Sequence, residues 1–234
     1  MKIPLSSRLQ ACAGFVKPGD RVADIGCDHG YLSIHLLAKG IADSVIASDV
    51  REQPLQSAMR NAARFGVADK MSFYLSDGVR NIPRDFDTMV CAGMGGDTMV
   101  HILQSAPWLR KEQYRLILQC QSKAALLRRY LSENGWFISK ETVLRDGKFL
   151  YTVMEVIWKP EQSGLTTGQW YISPAMLEHA TPETAEHFRY ILNGIAIKVA
   201  GHGESADPEL KTALEELREL AEKAEYSWLK EERV

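Results

Sequence analysis

The sequence lacks the features that would assign it to a membrane, secreted or zinc-binding class. No apolar run approaches the roughly 20 residues of a membrane span, and the opening residues do not follow the pattern of a signal peptide. The cysteines are widely spaced, without a Cys-x-x-Cys pair or a histidine at metal-ligand spacing: Cys12, Cys27, Cys91 and Cys120. We therefore expect a cytoplasmic protein with reduced thiols, no membrane association and no bound metal.

A strong net charge is also absent, but the two signs are unevenly distributed along the chain. The formal net charge is -2, yet residues 1–160 carry 21 Lys and Arg against 16 Asp and Glu, and residues 161–234 carry 7 against 14. This asymmetry predicts two domains, residues 1–160 and residues 161–234. The mildly basic first domain is compatible with a nucleic-acid partner but does not establish one.

Strand-like and helix-like segments alternate along the first predicted domain. Short apolar runs predict strands at Arg21–Ile25, Ser44–Ser48, Met71–Leu75, Asp87–Ala92 and Arg115–Gln119. Helical spacing predicts a helix at Tyr31–Lys39, another at Ala124–Glu133, and one from Pro54 with the apolar stripe Leu55, Ala58, Met59, Ala62 and Phe65. Two further strands, Trp136–Leu144 and Phe149–Trp158, are predicted to form a hairpin around Asp146-Gly147. The pattern predicts an α/β, Rossmann-like sheet of seven mostly parallel strands, with an antiparallel hairpin at its edge.

The second predicted domain has a helical pattern. Residues 161–168 are typical of a linker, Thr181-Pro182-Glu183 is a typical helix start, and Gly201-His202-Gly203 predicts the end of that helix. A second helix is predicted from Asp207, and its apolar residues recur at coiled-coil spacing: Leu210, Leu214, Leu217, Ala221, Ala224 and Trp228. We predict a C-terminal coiled-coil hairpin of two α-helices.

Acidic and glycine residues follow the predicted strands of the sheet. Ligands of open α/β sheets lie beyond the carboxyl ends of the strands. The residues at these ends are therefore candidates for one binding site: Asp24, Gly26, Asp49, Asp77 and Gly93–Gly96.

The glycine turn in D-I-G-C-D-H-G-Y-L-S departs from the dinucleotide fingerprint G-x-G-x-x-G. Asp28 occupies the position of the middle glycine between Gly26 and Gly30, where its carboxylate would repel a pyrophosphate. A P-loop is excluded because G-K-[ST] does not occur. S-adenosylmethionine fits better, since it has no phosphate and carries a sulfonium cation beside a protonated amine. Asp49 is suited to accept hydrogen bonds from the ribose hydroxyls, and Asp77 is suited to accept one from the adenine amino group. The sequence therefore predicts methyl-transfer chemistry.

Several longer motifs occur together in this chain. They are D-I-G-C-D-H-G-Y-L at Asp24–Leu32, Asp49-Val50 with Gln53-Pro54-Leu55-x-x-Ala58, Asp77-Gly78, A-G-M-G-G at Ala92–Gly96, L-S-S-R-L at Leu5–Leu9, and L-I-L-Q at Leu116–Gln119. Over the whole first domain the sequence resembles the bacterial tRNA (adenine-22-N1)-methyltransferases, the TrmK type of class I methyltransferase. The resemblance implies methyl transfer from S-adenosyl-L-methionine to N1 of a tRNA adenine.

The resemblance also implies which residues contact the cofactor. Those in the motifs of the first three strands are Asp24, Gly26, Cys27, Asp28, His29, Gly30, Asp49, Val50, Asp77 and Gly78. Gly93, Met94 and Gly95 would frame the mouth of the site, where the methyl group meets the base.

We predict that three residues of the glycine turn act on the acceptor base. N1 of neutral adenine has a lone pair, so transfer requires alignment and charge stabilisation rather than a strong base. Asp28 is predicted to stabilise the positive charge that passes to the adenine, with proton acceptance from the adenine amino group as a second role. His29 and Tyr31 are predicted to shape the pocket or stack on a flipped base. The alternative for His29 is a helix cap or a hydrogen bond to a strand carbonyl.

The sequence departs from the resembled family at two places. Gln119-Cys120-Gln121 stands where the family usually has Q-P-N, which touches the predicted acceptor pocket, and Ser33 replaces a frequent proline. Two other functions stay open: a small-molecule methyltransferase, and a non-catalytic module that binds S-adenosylmethionine. We expect tRNA as the partner and a monomer or weak homodimer. Phosphate contacts are expected from basic residues of the first domain: Arg51, Arg60, Arg64, Arg80, Arg84, Arg110, Lys111, Arg128 and Arg129.

Overall fold

One sheet lies at the centre of the molecule in the computed structural model, which describes residues 3–223. Its seven strands within these residues run in the order β3-β2-β1-β4-β5-β7-β6. They are β1 Asp20–Ile25, β2 Ala42–Asp49, β3 Met71–Leu75, β4 Thr88–Gly95, β5 Arg115–Ser122, β6 Trp136–Asp146 and β7 Phe149–Trp158. The first five are parallel, whereas β7 is antiparallel to both β5 and β6. The predicted Rossmann-like α/β fold is therefore confirmed.

Helices cover both faces of this sheet. They are α1 Ser7–Phe15, α2 Tyr31–Ala38, α3 Glu52–Arg64, α4 Gly96–Gln104, α5 Ala124–Glu133, α6 Pro174–Glu178, α7 Pro182–His202 and α8 Pro208–Glu222. One apolar core contains side chains of α1, α2 and α3, and the other contains side chains of α4, α5 and α6. No helix within residues 3–223 is long and apolar enough to cross a bilayer.

The strand order reverses between β1 and β4, which both lie in the middle of the sheet. At such a switch point the connections of neighbouring strands leave in opposite directions and open a crevice at the carboxyl ends. The end of β1 carries Asp24 and the glycine turn, and the end of β4 carries Gly93 and Met94. The topology therefore brings two distant stretches of sequence to opposite walls of one crevice.

Several predicted boundaries were wrong for identifiable reasons. Strand β4 does not end at Ala92 but continues to Gly95, because a bulge at Gly93, with φ +79°, shifts its register and lets pairing with β5 resume. Helices α1, α4 and α6 were missed, and α4 starts directly from β4 without a polar cap to mark it. In α3 the predicted core residue Met59 is 41% exposed, since Leu55, Ala58 and Ala62 already fill the buried face.

The C-terminal helices have their own apolar cluster. It contains Phe188 and Ile195 of α7, Leu214 and Leu217 of α8, and also Val143 of β6. A capping box joins Thr181 and Thr184 at the start of α7, where the helix was predicted to begin. The predicted seam residues Ala224 and Trp228 lie outside the described residues.

The stretch predicted as a linker is folded against the rest of the chain. Two 3₁₀ turns, Pro160–Gln162 and Gly168–Trp170, lie at the two ends of this stretch. The backbone N–H of Leu165 donates to Ser132 Oγ at 2.8 Å. The connection between sheet and helical hairpin thus packs partly against the protein, with Ser163 and Gly168 buried and Glu161, Gln162, Gly164 and Thr166 exposed.

A buried ion pair anchors that segment to the sheet. Arg128 of α5 is 1% exposed and donates to Glu141 of β6, with 2.6 Å between Arg128 Nη2 and Glu141 Oε1. Its Nη1 donates to the carbonyl oxygens of Trp170 and Tyr171, both at 3.1 Å. The hydroxyl of Ser173 donates to Glu141 Oε2 at 2.5 Å. The predicted phosphate contact of Arg128 was wrong, because its guanidinium is enclosed and fully engaged inside the protein.

We predict that Arg128→Met lowers the free energy of unfolding by about 3–5 kcal/mol, because Glu141 would remain buried without its partner. Urea denaturation followed by circular dichroism measures this change. The matched control is Arg60→Met on the exposed side of α3, where the arginine donates only to Ser57 and the expected change is within about 0.5 kcal/mol. Equal effects of the two substitutions would contradict the anchoring role of Arg128.

Candidate functional site

A cleft of about 470 Å³ opens at the carboxyl ends of the central strands. Most of the residues predicted to bind the cofactor or act on the base line it: Asp24, Gly26, Cys27, Asp28, His29, Tyr31, Asp49, Val50, Asp77, Gly78, Gly93 and Met94. Two predicted residues, Gly30 and Gly95, are not among its lining residues. Residues of β1, β2 and β4, and of the loop after β3, thus surround one space of a size typical for small-ligand sites.

The carboxylate of Asp24 lies at the buried base of the cleft. It accepts a hydrogen bond from Ser33 Oγ at 2.6 Å and another from the Ser33 backbone N–H, in the first turn of α2. Burial raises the pKa of Asp24 to about 6, with the Asp49 charge adding to it and the Ser33 hydrogen bonds opposing it. The carboxylate of Asp24 therefore lies at the N-terminus of α2. A bound anion is commonly found at this end of a helix.

The backbone N–H groups of the glycine turn are also engaged within the protein. Those of Gly26 and Cys27 both donate to the carbonyl oxygen of Ser48, at 2.8 Å and 2.9 Å. The N–H of Asp28 donates to Asp49 Oδ2 at 3.2 Å. A phosphate cradle requires such groups to point free into the site. In this turn the N–H groups of Gly26, Cys27 and Asp28 are therefore not free to hold a pyrophosphate.

Asp49 is the most rigidly held carboxylate of the cleft wall. It is 5% exposed, and its Oδ1 accepts from the backbone N–H of Arg51 at 2.9 Å while Oδ2 accepts from Asp28. Each carboxylate oxygen can accept more than one hydrogen bond. Asp49 is thus fixed in position with capacity left for ligand hydroxyls.

Asp77 and Asp28 are more open to solvent than Asp24 and Asp49. The side chain of Asp77 is 50% exposed, and its Oδ2 lies 3.0 Å from Arg80 Nη1. Asp28 is 62% exposed and adopts φ +50°, a left-handed conformation that Asp and Asn tolerate better than most residues. The open carboxylate of Asp28 faces the cleft from the tip of the turn.

The predicted base-contacting residues form a loose aromatic group beside Asp28. The rings of His29 and Tyr31 are 5.9 Å apart at 43°, and His29 Nε2 lies 3.8 Å from Asp28 Oδ2. The backbone carbonyl of His29 accepts from Asn61 Nδ2 of α3 at 2.9 Å, which fixes the loop while leaving the ring in the cleft. Both rings are available to a planar ligand.

Three glycines of the site have packing reasons for their identity. A Cβ at Gly26 would overlap the Cε methyl of Met94 across the cleft. A Cβ at Gly30, where φ is +73°, would lie 3.0 Å from the Cβ of Ala58, so Gly30 allows α2 and α3 to approach closely. A Cβ at Gly95 would lie 3.2 Å from Ser122 Oγ. Gly30 and Gly95 shape the cleft through packing and do not line it.

Sequence reasoning missed several lining residues. Arg8 and Leu9 come from α1, and Thr98 and Ile102 come from α4, two helices that the apolar periodicity did not reveal. The only available signal for Arg8 was the motif L-S-S-R-L. Of the Gln119-Cys120-Gln121 stretch, Gln121 alone lines the cleft, whereas Gln119 is fully buried behind it.

We predict that Asp24→Asn stabilises the fold in a pH-dependent way. The raised pKa means that the ionised carboxylate costs stability above about pH 6 and that this cost disappears below about pH 4. The variant should therefore be more stable than the parent by about 3 kcal/mol at about pH 8 and nearly equal at about pH 4. Urea denaturation across this range measures the difference. Asp43→Asn, at the exposed start of β2, serves as the control, and the same pH dependence in that variant would contradict the assignment to Asp24.

Comparison with known proteins places this fold and site in a family. Residues 5–154 match the methyltransferase-domain family profile. The curated tRNA (adenine(22)-N(1))-methyltransferase of Bacillus subtilis is 31% identical over 154 residues, which cover 65% of this chain and 65% of that enzyme. The matched segment thus spans slightly less than two thirds of that relative's length.

Solved structures extend the likeness to the helical hairpin. A Streptococcus pneumoniae protein, crystallised in complex with S-adenosyl-L-methionine, has a TM-score of 0.81 and 26% identity, covering 93% of this chain and 99% of that chain. The Bacillus subtilis m1A22 tRNA methyltransferase TrmK has a TM-score of 0.78 and 24% identity, covering 98% and 99%, and this likeness concerns the fold. The chain therefore belongs to the methyltransferase-domain family, and within its first domain it is similar to a tRNA (adenine(22)-N(1))-methyltransferase.

Proposed function

We propose that this protein transfers the methyl group of S-adenosyl-L-methionine to N1 of an adenine in tRNA, adenine 22 by family resemblance. The observation that carries the proposal is the set of carboxylates around a glycine turn in which the N–H groups of Gly26, Cys27 and Asp28 are already used within the protein. Such a site disfavours phosphates and favours a cationic nucleoside. The likeness to a tRNA adenine methyltransferase supplies the acceptor.

The residues of the cleft fit S-adenosyl-L-methionine. Asp49 would hold the ribose hydroxyls, Asp77 the adenine amino group, and Asp24 with the turn the cationic amino-acid end. Gly26 and Met94 would border the reactive end, because they approach each other across the cleft. When bound, this cofactor supplies an electrophilic methyl group on a sulfonium.

The chain's contribution to transfer is alignment and charge stabilisation. The N1 lone pair of neutral adenine needs no strong base, so the main requirement is a fixed position for the acceptor ring. The rings of His29 and Tyr31 are suited to hold it, and the Asp28 carboxylate stabilises positive charge as it develops on the base. The small separation between Asp28 and His29 puts charge and aromatic surface on the same side of the cleft.

The tRNA backbone would be held by basic residues around the cleft. Arg51 lines the cleft with a side chain that is 71% exposed, and Arg60 and Arg64 are exposed on α3 behind it. We further propose that residues 1–160 carry catalysis and that residues 161–234 help position the RNA. The cytoplasmic location and the monomer or weak homodimer stay predictions.

The experiment that tests the function uses total tRNA lacking N1-methyladenosine, labelled S-adenosyl-L-methionine and mass spectrometry of the product nucleosides. We expect N1-methyladenosine, and its loss when the target adenine of a tRNA transcript is changed to guanine. Cofactor binding without any transfer to RNA would contradict the proposal. It would favour a small-molecule acceptor or a non-catalytic binding module.

We predict that Asp28→Asn slows methyl transfer by about 10–100-fold, because the neutral amide cannot stabilise the developing positive charge. Asparagine tolerates the left-handed backbone of this position, so the substitution removes charge without backbone strain. Single-turnover kinetics measure the change in the rate of methyl transfer. The dissociation constant of the cofactor, measured separately, should change by less than about 3-fold. The control is Asp69→Asn on an exposed turn before β3. An Asp28→Asn enzyme with the parent rate would rule out the charge role.

A further inference from the structure

Arg8 of α1 connects three parts of the acceptor side of the cleft. Its Nη1 donates to Gln119 Oε1 of β5 at 3.0 Å, and its Nε donates to Asp146 Oδ2 at the tip of the β6–β7 hairpin, also at 3.0 Å. Its guanidinium lies 5.2 Å from the ring centre of Tyr151 in β7. Arg8 also lines the cleft itself. One side chain thus joins the N-terminal helix, a central strand and the hairpin.

Gln119 links Arg8 to the wall of the cleft. Its side chain is fully buried, and Oε1 accepts from both Arg8 Nη1 and the backbone N–H of Gly93, each at 3.0 Å. Its Nε2 donates to the carbonyl oxygen of Cys120 at 3.2 Å, which fixes the orientation of the carboxamide. The amide of Gln119 therefore has a single arrangement that satisfies all three contacts.

The backbone that Gln119 holds is the irregular end of β4. Gly93 has φ +79°, and the register between β4 and β5 shifts at Met94. Met94 then projects its Cε methyl towards Gly26 at the opposite wall. Because a bulge lacks the regular ladder that fixes a strand, its position depends on side-chain contacts. The Gln119 contact to Gly93 supplies one, and Arg8 holds Gln119 in place.

We propose that Arg8 is a positioning residue for methyl transfer, which acts through Gln119 and Gly93 to fix Met94 at the mouth of the site. This inference rests on the function proposed above. An arginine suits the role because its planar fork reaches two acceptors on different elements, whereas a lysine ammonium holds one of them well. A shift of about 1 Å at the mouth is enough to slow transfer by about 100-fold.

The first test follows the methyl resonance of Met94 and does not depend on enzyme activity. In protein labelled with ¹³C at the methionine methyl groups, the Met94 resonance is assigned through Met94→Leu and followed with S-adenosylhomocysteine present. We expect Arg8→Lys to shift the Met94 resonance. The matched control is Arg21→Lys, where an arginine pairs with Asp87 at the opposite end of the sheet, and there the Met94 resonance should stay in place.

The second test measures the rate of methyl transfer. Arg8→Lys should lower the single-turnover rate with saturating tRNA and cofactor by about 10-fold or more. The cofactor dissociation constant should change less than about 2-fold, because the hydrogen bonds of Arg8 go to Gln119 and Asp146 and not to the carboxylates of the cofactor wall. Arg21→Lys should retain the parent rate. If Arg8 acts through Gln119, adding Arg8→Lys to Gln119→Leu lowers the rate no further than Gln119→Leu alone.

The outcomes separate this inference from the function it rests on. A shifted Met94 resonance with a lower rate supports the positioning role. An unshifted resonance, an unchanged rate, or fully additive effects of the two substitutions would overturn it. A parent protein that methylates no tRNA overturns the proposed function, and the Met94 resonance then still decides whether Arg8 positions the mouth of the cleft.

Discussion

The hydrogen bonds between Asp24 and Ser33 determine what the rest of the cleft can bind. A carboxylate of the chain itself lies at the first turn of α2, where its charge opposes a bound anion. The carbonyl oxygen of Ser48 accepts from the N–H groups of Gly26 and Cys27, and the carboxylate of Asp49 accepts from that of Asp28. A glycine turn that commonly serves phosphates is thereby converted into the wall of a site for a cation. The cost is that Asp24 is buried, because burial disfavours the ionised form of its carboxylate.

The two walls of the cleft differ in how they are held. On the side of β1, β2 and β3, the Ser33 hydroxyl holds Asp24, and the backbone N–H groups of Asp28 and Arg51 hold Asp49. On the side of β4 and β5, a bulge replaces the regular ladder and buried side chains fix the backbone instead. Both walls are thus fixed in position, as the alignment of two reacting groups requires.

The helical hairpin is joined to the sheet by a polar contact inside the protein. Arg128 and Glu141 connect α5 and β6 to the segment before α6, while the apolar cluster of α7 and α8 reaches Val143 of β6. Removing one charge of such a pair is far more costly than removing an exposed one. The hairpin is therefore held in a defined orientation beside the sheet.

The sequence by itself determined the sheet type and the charge character of the site. Apolar runs, glycine turns and the aspartates Asp24, Asp28, Asp49 and Asp77 are local patterns, and they identified most of the residues that line the cleft. Only the tertiary structure decided the roles of Arg8, Gln119 and Arg128. Apart from the neighbouring carbonyl of Cys120, their hydrogen-bond partners lie between 13 and 138 residues away along the chain. Helix α1 also lacks the apolar periodicity that would have marked it. An arginine has the same local signature whether it meets water, a phosphate or a buried carboxylate, and the folded chain alone selects among them.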